Sequence, residues 1–86
     1  MMIQNNDDSV QRMTILGDLH IATFLPWIGR HADKLGLVRM VRHADQRRIE
    51  LELCGPEELI DMMEMGCLLG PIDAWVETID RAPVRS

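Results

Sequence analysis

The sequence predicts an α+β fold, a four-stranded antiparallel sheet with two helices on one face, in the order β-α-β-β-α-β. Three observations carry this. Ile49, Leu51 and Leu53 alternate with Glu50 and Glu52, the period of a strand with one packed face and one wet face. Phe24, Ile28, Ala32 and Leu35 recur at helical spacing and form one apolar stripe. A second stripe, Leu59, Ile60, Met63 and Cys67, follows the clean strand. No long linker, repeat or low-complexity tract separates these segments.

Taken in order, Val10 to Leu19 reads as the first strand, with Met13, Ile15 and Leu19 alternating. A turn is expected at Gly17. The first helix should run from Phe24 to Leu35, with Thr23 as N-cap, Pro26 in the first turn and Gly36 just past the end. Leu37 to Arg42 reads as the second strand, and His43 to Arg47 as a hairpin-like turn. Arg48 to Cys54 is the third strand. The second helix opens at Pro56 with Glu57 and Glu58 in its positive first turn, and Gly70-Pro71 stops it. Ala74 to Asp80 is the fourth strand, with Ala74, Val76 and Ile79 inward. This order is the split-βαβ, ferredoxin-like sandwich.

Composition narrows the function. The 86 residues make one small domain and are 47% hydrophobic, too apolar for a disordered chain. Such a chain buries about 60–65% of its unfolded surface. Residues 1–10 are polar and carry Asp7 and Asp8; they read as a flexible tail rather than a secretion signal, with the domain over 11–86. No apolar run is long enough to span a membrane. The net charge is −5, from nine basic and 14 acidic residues, which argues against nucleic acid as a partner. The charge is uneven: Arg30, Lys34, Arg39, Arg42, Arg47 and Arg48 fall in residues 30–48, while residues 50–80 hold nine acids and no Lys or Arg. The basic stretch reads first as solvated strand edges and a turn, with one small anion as the alternative. Cys54 and Cys67 read as reduced thiols and a cytoplasmic location is expected, a disulfide or metal site being the alternatives. His20, His31 and His43 lack metal-ligand spacing, so no metal and no cofactor are expected.

The stretch between the first strand and the first helix also resembles a known family. Gly17-x-x-x-x-x-x-Phe24, then Ile28, Ala32 and Leu35-Gly36-Leu37, is similar to the loop and first helix of acylphosphatases, whose pattern there is G-x-V-Q-G-V-G-F-R. Val41-Arg42-His43 falls on the family's V-R-N. Ile49 to Leu53, Gly55-Pro56-Glu57-Glu58, Gly70-Pro71 and Ala74-x-Val76 continue the likeness, which spans residues 11 to 84 without a gap. It implies the same ferredoxin-like fold and hydrolysis of an acyl phosphate to carboxylate and phosphate. The family's loop arginine holds the phosphoryl group and its asparagine orients water.

Those two positions hold Leu25 and His43 here. Leucine donates nothing to phosphate, and losing one transition-state donor costs about 10²–10³ in rate. Ile21 and Thr23 fall where the family has its second and third glycines, and neither takes positive φ as glycine does. Asp18 beside the loop repels an anion. His20 falls on the family's glutamine. No catalytic residue is therefore expected at these positions; an enzyme is disfavoured, and any activity would be hydrolysis of acyl phosphates. The loop Gly17, Asp18, Leu19, His20, Ile21, Ala22 and Thr23 remains the candidate ligand-binding element, a helix N-terminus able to hold a small anion, with Arg42 and His43 as further contacts. Ile21, Leu25, Leu68, Leu69 and Trp75 put apolar groups where family members commonly place polar, charged or glycine residues, and with Trp27 they form the expected surface for a homodimer or protein partner. The expected function is a ligand- or partner-binding module; the alternative is an acylphosphatase with a degenerate site.

Overall fold

The computed structural model describes residues 8–71 and 73–84. Its elements are β1 (Asp8–Asp18), α1 (Ile21–Leu35), β2 (Val38–Ala44), β3 (Arg48–Pro56), α2 (Glu57–Leu69) and β4 (Trp75–Pro83). The sheet runs β2-β3-β1-β4, with each neighbouring pair antiparallel. This is the ferredoxin-like α+β sandwich that the alternation and the two stripes predict.

One face of the sheet carries the core. Met13, Ile15 and Leu19 of β1 and its exit, and Ile49, Leu51 and Leu53 of β3, are completely buried. They meet Phe24, Ile28 and Ala32 of α1 and Ile60, Met63 and Cys67 of α2. Fully burying a side chain of this kind stabilises the fold by about 1.5–3 kcal/mol. The opposite face holds β3's polar residues in ion pairs: Glu52 receives Arg12 and Arg42, each at 3.2 Å, and Glu50 receives Arg48 at 2.6 Å. The helices meet through small-to-ring packing. Gly66 leaves room for the His31 imidazole, which a β-carbon there would strike, and His31 stacks on Trp27 with centroids 4.8 Å apart.

Several boundaries differ from expectation. β1 begins at Asp8, which lies opposite Pro56, so residues 8–10 are strand rather than tail; residues 1–7 lie outside the described part. Gly17 is not a turn but sits inside β1 at a bulge against β4. A β-carbon there would run into the Trp75 carbonyl oxygen, so glycine lets the two backbones approach. Pro56 is the N-cap of α2, one residue outside the helix. α1 starts three residues early, at Ile21, which puts Pro26 in its second turn. The carbonyl of Ala22 loses an N–H partner, but both residues are exposed and water replaces it.

Two substitutions test this packing. Leu51→Ala should lower unfolding stability by about 2–5 kcal/mol. Gly17→Ala should lower it as well, because β1 and β4 must part around the added methyl. Urea midpoints at constant slope measure both; a Gly17→Ala midpoint equal to wild type would show that the bulge is not as close as described.

Candidate functional site

The site forms where β1 leaves the sheet, and the β2–β3 turn is bound to it. The Gly17 N–H donates to the Arg47 carbonyl at 3.1 Å, and the Leu19 N–H to the Gln46 carbonyl at 2.8 Å. The Gln46 side chain then accepts the Ile21 N–H on Oε1 at 2.9 Å. Ile21 is the first residue of α1, so an amide oxygen from a distant turn fills part of the helix's donor-rich, positive end. The Thr23 and Phe24 N–H groups both reach the His20 carbonyl at 3.0 Å. The N–H groups of His20 and Ala22 have no such partner among the described residues.

The loop closes without the glycines of the resembled pattern. Ile21 and Thr23 are helical, and the left-handed residue is His20, with φ 47° and ψ 62°. Histidine tolerates that region better than a branched residue does. His20 is therefore the N-cap position, although its side chain caps nothing. Thr23 is not the N-cap. Gln46 takes that work, and the Thr23 hydroxyl donates to Asp73 at 3.1 Å, tying α1 to the segment before β4.

The other expected site residues separate. Leu19 is fully buried, so its side chain belongs to the core. Asp18, His20, Ala22 and Thr23 are exposed. Leu25, Ile21 and Trp27 are half-buried and pack against the core, with the Trp27 ring 5.7 Å from Phe24. They do not form an open apolar face. Leu68, Leu69 and Trp75 do: they are 50%, 84% and 70% exposed. With Pro71, Ala74 and Val76 they line a hollow of about 410 Å³.

Arg42 and His43 each meet a carboxylate of the same chain. Arg42 donates to both oxygens of Glu52, at 3.2 and 3.4 Å; Arg42 first and Arg12 second hold that carboxyl below its ordinary value. His43 lies 2.7 Å from Asp45 through Nε2. Asp45 also accepts the Arg47 and Arg48 N–H groups at 2.8 Å each. The His43 bond, then those two, lower its pKa from 3.8 to about 2. Of the basic stretch, Arg39 also pairs, with Asp33 at 2.9 Å, so Arg39, Arg42 and Arg48 all meet carboxylates of the same chain. Cys54 and Cys67 are both free, and desolvation pushes the Cys67 thiol up to about 12. Among the described residues no cluster could hold a metal, and no helix is long and apolar enough to cross a membrane.

Sequence reasoning missed Gln46 and Asp73, which act across the fold and leave no local mark. Asp45 did leave one: an Asp two residues before the N–H it accepts is an Asx-turn pattern.

No protein-family model matches the chain. An acylphosphatase of Nitrobacter hamburgensis is 31% identical over 80 residues, covering 93% of this chain and 81% of that protein. Solved acylphosphatases superpose closely. That of Coxiella burnetii gives a TM-score of 0.85 at 20% identity, over 99% of this chain and 90% of its own. That of Bacillus subtilis gives 0.79 at 25%, over 90% and 86%. A small α+β sandwich with a helix-opening loop at the end of its first strand is thus the class of protein, and the chain belongs to the acylphosphatase family.

Two outcomes test the site's geometry. Gln46→Ala should lower stability by about 1 kcal/mol, as the loss of a helix cap does, and should speed hydrogen exchange of the Ile21 amide. Asp45's depressed pKa means that its contribution is intact above the ordinary 3.8 and is lost as pH falls through about 2. Its carboxyl resonance should therefore titrate near the lower value, and the turn amides of Arg47 and Arg48 should broaden or shift with it; a midpoint at the ordinary value would remove the His43 pairing.

Proposed function

We propose that this chain is an acylphosphatase-family module without acyl-phosphate hydrolase activity, which works by binding a protein partner or a ligand. One observation carries the reading: position 25, where the family's phosphate-holding arginine falls, is a leucine packed half-buried against the core. Arginine suits that task because its planar fork matches two phosphate oxygens at once. Arg42, beside the family's asparagine position, is itself paired with Glu52. Two further observations support the reading. Gln46 already caps the Ile21 N–H that an anion would use, and Asp18 stands exposed beside the loop, where it repels a phosphoryl group.

The second reading, an acylphosphatase with a degenerate site, draws on His43. Its Asp45 contact leaves a ring nitrogen available to orient a water, and the His20 and Ala22 amides still face outward. In that case the water attacks the acyl phosphate with slow release of carboxylate and phosphate. The proposed partners are a protein or a small anion, with no cofactor, metal or nucleic acid; free thiols at Cys54 and Cys67 suit the cytoplasm.

Hydrolysis of benzoyl phosphate by purified protein separates the two readings. The wild type should match buffer alone. Leu25→Arg with His43→Asn should rise above wild type, because it restores the two side chains that the family chemistry uses. A wild-type rate well above buffer, abolished by His43→Ala, would establish the second reading. A folded double variant that stays at the buffer rate would show that the Gln46-capped loop is itself misaligned.

A further inference from the structure

The hollow between the end of α2 and the start of β4 is bordered by the side chains of Leu68, Leu69 and Trp75. Trp75 is 70% exposed and Leu69 84%, a large apolar commitment for so small a surface. Three carboxylates lie near the tryptophan in the sheet register or along the chain. Asp18 is its partner in the β1–β4 register, and Asp73 and Glu77 flank it two residues away on either side. All three are exposed. No Lys or Arg occurs in residues 50–80, and among the described residues neither Asp73 nor Glu77 has an ion-pair partner. Asp18 has only His20, at 3.9 Å.

An exposed indole with carboxylates near it attracts a cation twice, through the ring quadrupole and through charge. The leucines beside it accept apolar anchors. A second copy of this chain suits the face poorly: a two-fold contact centred on it sets one acidic surface against another, and like charges facing each other oppose association. We infer that this hollow is the docking site for a cationic, amphipathic segment of another protein, which lays apolar side chains on Leu68, Leu69 and Trp75 and sets Lys or Arg among the three carboxylates. The homodimer expected from the sequence is thereby replaced, at this face, by a basic partner. The inference rests on the reading of the chain as a binding module.

The test uses a tryptophan-free Leu/Lys amphipathic peptide and its Leu/Glu counterpart, titrated into the full chain and followed by tryptophan fluorescence. The cationic peptide should bind with a Kd on the order of 10–100 µM, blue-shift the emission, and weaken as salt rises. Asp18→Asn with Glu77→Gln, which keeps shape and removes charge, should weaken it about tenfold; Leu69→Ser should weaken it similarly, with unchanged circular dichroism. Equal binding of the Leu/Glu peptide, no shift with either peptide, or binding unaffected by both variants would overturn the inference. So would sedimentation equilibrium showing a dimer that Trp75→Lys dissolves, because a second copy would then be the occupant. Benzoyl phosphate hydrolysis is measured on the same preparation. Turnover alongside peptide binding removes only the non-catalytic reading, and neither turnover nor binding removes only the docking inference.

Discussion

The amide oxygen of Gln46, 2.9 Å from the Ile21 N–H, holds the end of the molecule on which the functional reading turns. Two backbone bonds from the same turn, Gln46 to Leu19 and Arg47 to Gly17, fix its approach. Asp45 in turn fixes the turn, by accepting the Arg47 and Arg48 N–H groups. A helix N-terminus left open is a ready anion site. In this one the Ile21 N–H is taken by a neutral acceptor from its own chain. The turn, the loop and the helix start therefore behave as one body, and the left-handed strain falls on His20 rather than on a glycine.

The chemistry around that body has changed sign. A phosphate-handling loop needs positive groups, yet the guanidinium position is Leu25, Arg42 shares Glu52 with Arg12, Asp18 stands exposed at the loop, and Asp73 holds Thr23. The Thr23–Asp73 bond links the two halves of this surface. On the proposed reading, the end of the sandwich that holds a phosphate in the resembled family meets a cationic partner here. The fold is indifferent to the exchange because its core, from Met13 to Cys67, lies on the other side of these residues.

Much of the fold could be read from residue spacing. Ile49, Leu51 and Leu53 named the packed face of β3 because alternation is a local property. Phe24, Ile28 and Ala32 likewise named α1's buried stripe. What could not be read were features made by distant partners. The start of α1 moved to Ile21 because Gln46, 25 residues away, supplied a cap that no local pattern announces; Thr23 looked like the cap because its type is right, but its hydroxyl found Asp73. The first strand ran back to Asp8 because β3 offered Pro56 opposite it, although the residues themselves are polar. Of the apolar surface expected on the outside, Leu25, Ile21 and Trp27 turned inward because half a side chain can pack beside a core stripe, and Leu68, Leu69 and Trp75 stayed out because the α2–β4 connection covers little. That Leu25 and His43 stand where the resembled pattern has arginine and asparagine was legible from sequence, since it depends only on residue type.

The most direct measurement is a titration of the labelled full chain with inorganic phosphate, following the backbone amide resonances of His20, Ile21 and Ala22. A self-capped, charge-reversed loop predicts no saturable shift at these amides in millimolar phosphate, with only the small linear drift of ionic strength. Saturable shifts confined to these three amides, at millimolar affinity or tighter, would contradict it and return the loop to phosphate binding.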